Sequence, residues 1–181
     1  MTAQVEDTVV PEPTIVDGEF VPTRDVPYST ALDEMIAQVR AGEAPNLGHF
    51  CGYCCTPLAS TATGCPTCGT DVVKLPPRDK ISRPLAEIYT AKRKREGRWV
   101  HSAAWGGLIL GTVISIGLIL VLPGWTKVFA IIFMILGSYV IATYLGNYWV
   151  QERAFRSGLR FFAAGWQEYS AERDRGALDD E

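Results

Sequence analysis

Trp99–Thr126 reads WVHSAAWGGLILGTVISIGLILVLPGWT and contains no Asp, Glu, Lys or Arg. Val128–Gln151 reads VFAIIFMILGSYVIATYLGNYWVQ and again contains none. The hydrocarbon of a bilayer is about 30 Å thick, and a helix crosses it with about 20 apolar residues. A buried helix of a soluble core needs runs of only about 10–14. Both stretches exceed that range. They predict a transmembrane hairpin, with helices over 103–122 and 128–149 and a turn at Pro123-Gly124. The whole chain is 48% hydrophobic, an average that hides this concentration.

Charge gives the hairpin a direction. Lys92, Arg93, Lys94, Arg95 and Arg98 precede the first span, Arg153, Arg156 and Arg160 follow the second, and Lys127 alone marks the turn. Cationic loops stay in the cytoplasm. Both termini are therefore expected there, in a two-pass protein of a plasma membrane such as a bacterial inner membrane. The run from Lys92 to Arg98 is expected to lie on the membrane surface against anionic lipid. Trp99, His101, Trp105, Tyr144, Tyr148 and Trp149 belong to the inner aromatic belt, and Trp125 to the outer one. The first 30 residues hold six acids and four prolines, which fits neither a secretory signal nor a transit peptide.

Small residues recur on both spans. Ala103, Gly107, Gly111 and Ser115 form a stripe on the first; Ser138, Ala142 and Gly146 lie on the second. Small side chains let helix backbones approach where lipid supplies no hydrophobic drive. Antiparallel pairing would set Ala103 against Gly146 and Gly107 against Ala142. Leu110, Ile114, Phe129, Ile132 and Ile135 would then face lipid or another subunit.

Upstream, Cys51-Gly-Tyr-Cys54 and Cys65-Pro-Thr-Cys68 repeat one spacing, with ten residues between the pairs. Two such turns can hold one tetrahedral zinc through four thiolates. Such thiolates persist where thiols stay reduced, which agrees with the cytoplasmic orientation. The paired turns resemble the knuckles of the zinc-ribbon superfamily, over about residues 48–73 only. The resemblance implies short β-hairpins, a structural Zn2+ on Cys51, Cys54, Cys65 and Cys68, and Gly after the second Cys of each pair. Gly69 follows that pattern and Cys55 departs from it. Cys65-Pro-Thr-Cys68-Gly69 is also similar to a rubredoxin knuckle, which leaves iron as the alternative metal.

The remaining segments are polar or half-amphipathic. Met1–Ser29 is expected to be a disordered acidic tail, with Ile15, Phe20, Val21 and Tyr28 as anchors inside a complex. A short helix over 30–42 is expected, capped by Thr30 with Asp33, striped by Leu32, Met35, Ile36 and Val39, and stopped by Gly42. Lys74–Arg78 reads as a stiff linker. Ser82 caps a basic juxtamembrane helix over 82–102 that carries Pro84 in its first turn. After the hairpin, Phe155, Leu159, Phe162, Trp166 and Tyr169 follow heptad gaps on an amphipathic helix over 151–172. That helix would lie on the membrane surface or pair with a partner helix. Residues 173–181 form a polar tail.

The fold class expected is thus a mainly α membrane protein: a helical hairpin, a small N-terminal ribbon and a C-terminal amphipathic helix. No Lys or Arg occurs between Asn46 and Val73, so no nucleic-acid partner is expected. No carboxylate lies within the spans to relay protons, and no phosphate loop, nucleophile elbow or hydrolase motif occurs. The reading is a non-catalytic accessory or assembly subunit, with lipid and other membrane subunits as partners. Its rivals are a membrane-tethered thiol or iron redox module, and a metal-sensing regulator that recruits a cytosolic factor.

Overall fold

The structure is a computed structural model that describes residues 13–16, 19–144 and 150–176. In chain order, β1 (Ile15–Val16) and β2 (Glu19–Phe20) form a minimal antiparallel hairpin. Helix α1 (Thr30–Ala41) and the cysteine segment lead into α2 (Arg83–Val121). A 3-10 turn over Gly124–Thr126 precedes α3 (Lys127–Ile132), a π-helical turn over Phe133–Gly137, and α4 (Ser138–Tyr144). Helix α5 (Gln151–Asp174) closes the described chain. Two compact units result, residues 1–92 with 159–181, and residues 93–158.

In the first unit, α1 is capped by Ser29, one residue before the Thr30 expected. Ser29 keeps an extended backbone (φ -126°, ψ 123°), and its hydroxyl accepts from the Leu32 N–H at 3.4 Å. Gly42 ends the helix in a left-handed conformation at φ 75°, as a terminal glycine can. Leu32 and Ile36 are buried and Met35 and Val39 are half-buried, so the stripe has found a partner surface.

That surface is aromatic. Tyr28 stacks on Tyr89 at 5.6 Å, and Phe162 meets Tyr89 edge-on at 4.9 Å and Tyr28 at 5.5 Å. Leu159, Phe162, Trp166 and Tyr169 of α5 are all 4% exposed or less. The C-terminal stripe therefore packs on the chain's own unit, a correction to both expectations for it. The described end of the N-terminal segment is corrected likewise; residues 1–12, 17 and 18 of the expected tail lie outside the described residues. Val26, Pro27 and Tyr28 are buried, and the Tyr28 ring is part of this cluster.

Lys92 is corrected too: it cannot lie on a membrane surface. Its side chain is 1% exposed, with Nζ 3.6 Å from Asp33 Oδ2 and donating to Tyr28 Oη at 3.0 Å. Tyr28 Oη in turn donates to Asp33 Oδ2 at 2.8 Å. An ammonium this deep requires both a counter-charge and hydrogen bonds. A sequence pattern of consecutive cations could not separate it from its exposed neighbours.

In the second unit, α2 contributes an unbroken apolar helix. Among the described residues it is the one helix long and apolar enough to cross a membrane. Only 17% of its most apolar stretch is buried, whereas the core helix of a soluble protein would be mostly covered. Leu110, Ile114, Phe129 and Ile132 are exposed, and Ile135 falls outside the described side chains. The following segment was expected as a single helix over 128–149. It is helical in three pieces up to Tyr144, since the π turn interrupts the regular ladder.

The small residues lie at close approaches within this unit. A Cβ on Gly107 would meet Ala142 Cα at 2.8 Å, and one on Gly111 would meet Ser138 Cα at 2.9 Å. Ser115 is fully buried, its hydroxyl donating to the Gly111 carbonyl at 2.7 Å. Ala103 is half-buried. Gly146, Tyr148 and Trp149 lie outside the described residues, so the pairing of Ala103 with Gly146 does too.

Two measurements check these contacts. Lys92→Met should leave Asp33 buried without its cation and cost about 3–5 kcal/mol, while Lys92→Met with Asp33→Leu should recover much of it. Thermal unfolding of the full chain in detergent reads both. Gly107→Leu should separate the helices that meet there, so cysteines introduced at Ala104 and Thr143, which line one groove, should lose their crosslink. A crosslink of undiminished yield would contradict this packing.

Candidate metal centre

Each cysteine pair folds into the same turn. The Cys51 N–H donates to the Thr56 carbonyl and the Cys65 N–H to that of Thr70, both at 2.9 Å. The Cys55 N–H returns to the Cys51 carbonyl and the Gly69 N–H to that of Cys65, again at 2.9 Å. One residue of each turn must then take a left-handed backbone. Gly69 does so at φ 68° and Cys55 at φ 56°. Cys55 thus occupies the site of the expected glycine with the same conformation, at the strain a side chain incurs there.

The knuckles are closed by single bridges, Phe50 to Pro57 and Gly64 to Asp71. Among the described residues, no longer strand forms in this segment. The expected linker is a correction: it forms a third rung of the module. Phe50 and Arg78 exchange both backbone hydrogen bonds at 2.9 Å, and the Gly48 N–H donates to the Asp79 carbonyl. Asn46 adds a side-chain pair, its carbonyl accepting from the Ile81 N–H at 2.9 Å. Gly52 lies so close to the Pro76 carbonyl that no side chain fits between them.

These turns bring Cys51, Cys54, Cys65 and Cys68 together, all buried, with their sulfurs within 4.8 Å of one another. Cys51 and Cys68 sulfurs are 3.7 Å apart, and those of Cys54 and Cys65 3.6 Å. A tetrahedron with metal–sulfur bonds of about 2.3 Å has edges of about 3.8 Å, so the set fits one metal ion. The group could hold zinc or iron. His49 is exposed and is not one of the four.

Protons alone make a poor centre for this cluster. Hydrogen bonds from Cys51 and Cys54 draw the Cys68 thiol far below its ordinary range. Hydrogen bonds with Cys51 and Cys68, together with burial, push Cys54 far above it. Cys54 also pulls the Cys51 thiol down, but Cys68 and burial outweigh it and leave Cys51 at about 11. The thiolate is thus favoured at Cys68 and disfavoured at Cys51 and Cys54, whereas a divalent cation would hold its sulfur ligands as thiolates.

Four thiolates around a divalent ion retain two negative charges, and the knuckles supply donors for them. The Tyr53 N–H points at the Cys51 sulfur at 3.4 Å. Thr56 Oγ1 lies 3.1 Å from the Cys54 sulfur, where it can donate, and Thr70 Oγ1 accepts from the Cys68 thiol at 3.1 Å. Sequence reasoning missed these threonines. Their signal was present: each stands two residues after the second cysteine, so the repeat is C-x-x-C-x-T.

Cys55 is 1% exposed. Burial raises its pKa, and the Ser82 N–H with the charges of Arg78 and Arg173 offset that only partly. A protonated, covered thiol is a poor nucleophile. The module is also tied to its own unit through Tyr53. That ring meets Trp166 edge-on at 5.6 Å, and the guanidiniums of Arg24 and Arg173 lie 5.1 Å and 4.4 Å from its centre. Arg173 also donates to the Tyr53 carbonyl at 3.0 Å.

The chain matches no protein-family profile, no curated protein and no solved structure. The candidate metal centre rests on its own geometry.

The two neighbouring cysteines should behave oppositely. Cys55→Ala should keep metal content unchanged, and Cys54→Ala should abolish it, by elemental analysis of the purified chain. In the metal-loaded wild type at pH 8, iodoacetamide should leave Cys55 unlabelled under native conditions and label it after denaturation. Rapid native labelling of Cys55 would contradict its burial.

Proposed function

We propose that this chain is a non-catalytic, two-pass membrane protein with both termini in the cytoplasm, acting as an accessory or assembly subunit of a larger membrane complex. Its first unit would be a metal-clasped cytoplasmic module and its second a helical hairpin in lipid. The observation that carries this reading is the joint presence of a closed, buried four-sulfur cluster and a long apolar helix that the chain leaves largely uncovered. A cluster whose four sulfurs fill a tetrahedral shell has no open position for substrate, the mark of a structural site. The cation-rich flanks at Lys94, Arg95, Arg98 and Arg153 support the orientation.

Several features favour this over redox chemistry by Cys54 and Cys55. Cys55 is covered by its own unit, and its thiol is held protonated. An iron-loaded cluster is the redox version with a geometric basis, since N–H and hydroxyl groups adjoin the sulfurs as they do in electron-transfer sites. Iron would give visible thiolate-to-metal absorption, and zinc would give none.

Isolation of the full chain from its native membrane in mild detergent should recover a stoichiometric membrane partner. Recovery of a partner-free monomer would overturn the accessory role. Recovery of a soluble cytosolic factor alone would favour the recruiting regulator.

A further inference from the structure

Arg95, Arg98, Trp99 and Ser102 line a cleft of about 360 Å³ on α2, within the second unit. The spacing of three, four and seven residues from Arg95 places all four on one face of the helix. No carboxylate is among the described residues that line it. The Arg95 Nε donates to Ser157 Oγ at 3.3 Å, which orients that guanidinium at the wall. Ser102 turns its hydroxyl back to the Arg98 carbonyl at 2.7 Å and leaves the arginines and the Trp99 indole as the donor-bearing groups. Arg98 is exposed, and Trp99 is 51% exposed.

We propose that this cleft binds the phosphodiester headgroup of one anionic phospholipid. Planar guanidiniums match phosphate oxygens in pairs, and an indole suits the headgroup depth. The same helix face says why the phosphate belongs to a lipid. Below Ser102 it continues through Gly106, where an added Cβ would meet nothing, to Ile109, Leu110 and Val113, each more than half exposed. A cationic head site above a smooth apolar strip matches an amphiphile. Free phosphate would leave the strip unused.

The site deepens the membrane reading and rests on it. It also narrows the expected anionic-lipid surface from five cations to two, with Lys92 buried and Arg93 and Lys94 outside the cleft.

Native mass spectrometry of the full chain in detergent, titrated with phosphatidylglycerol or phosphatidylcholine, tests the proposal. One phosphatidylglycerol should be retained in preference to phosphatidylcholine, and inorganic phosphate should not displace it. Arg98→Gln should weaken retention about ten-fold. Lys94→Gln, which removes the same charge outside the cleft, should leave retention unchanged. Equal losses for the two variants would reduce the site to diffuse attraction and overturn the proposal, as would displacement by phosphate or equal retention of both lipids. Flotation with vesicles after an alkaline wash separates the two levels. A chain that floats but shows no preference loses only the lipid site, and a chain that fails to float loses the membrane reading with it.

Discussion

Four sulfurs within 4.8 Å of one another are the constraint on which the first unit depends. The segment that carries them is too short to bury a core of its own. It contains two tight turns, each with a left-handed residue, and its rungs are single bridges. Drawing four thiols together in a buried site opposes folding unless a cation unites them, and structural zinc contributes about 10–16 kcal/mol in small modules. With the knuckles closed, Tyr53 is fixed for Trp166 and Arg173, and Phe50 is fixed for Arg78. The cluster therefore organises the surface through which the module meets Arg24 and the C-terminal half of α5.

The aromatic core beside it has a different logic. Tyr28, Tyr89 and Phe162 supply large buried area, and the ammonium of Lys92 lies 4.2 Å from the Tyr28 ring centre. The Lys92–Tyr28–Asp33 network contributes little net stability when complete and costs much when broken. Its consequence is specificity, since one arrangement of α1, the segment before it and α2 satisfies all three groups. Burial also pushes the Tyr89 hydroxyl above its ordinary range, so it stays protonated where it accepts from the Ser29 N–H at 3.1 Å. The second unit follows the opposite rule: glycine and serine lie at its close contacts, and most of its described large apolar side chains are exposed.

Much of this was legible in local pattern. Two identical cysteine spacings named the four converging sulfurs, because tight turns are encoded locally. Gly42 gave the end of α1, and the charge-free run gave α2. What local pattern could not encode was the destination of each amphipathic face. The heptad stripe of α5 read as a membrane or partner surface, yet its partners are Tyr28, Tyr53 and Tyr89, far away in sequence. Lys92 looked like its exposed neighbours because its counter-charge is Asp33, on another helix. Lys74–Arg78 looked like a linker because two prolines hide an isolated backbone pairing. Cys55 looked like a departure from the knuckle pattern, although it adopts the backbone that the pattern requires.

Hydrogen–deuterium exchange on the full chain in detergent, before and after metal removal by a chelator, tests most directly whether a metal holds this fold. The account predicts that removal abolishes protection at Gly48, Phe50, Cys51, Cys55, Cys65 and Gly69 and loosens the Leu159–Tyr169 face, while protection over 107–121 is unchanged. Full protection of the cysteine segment in a chain shown to be metal-free would contradict it.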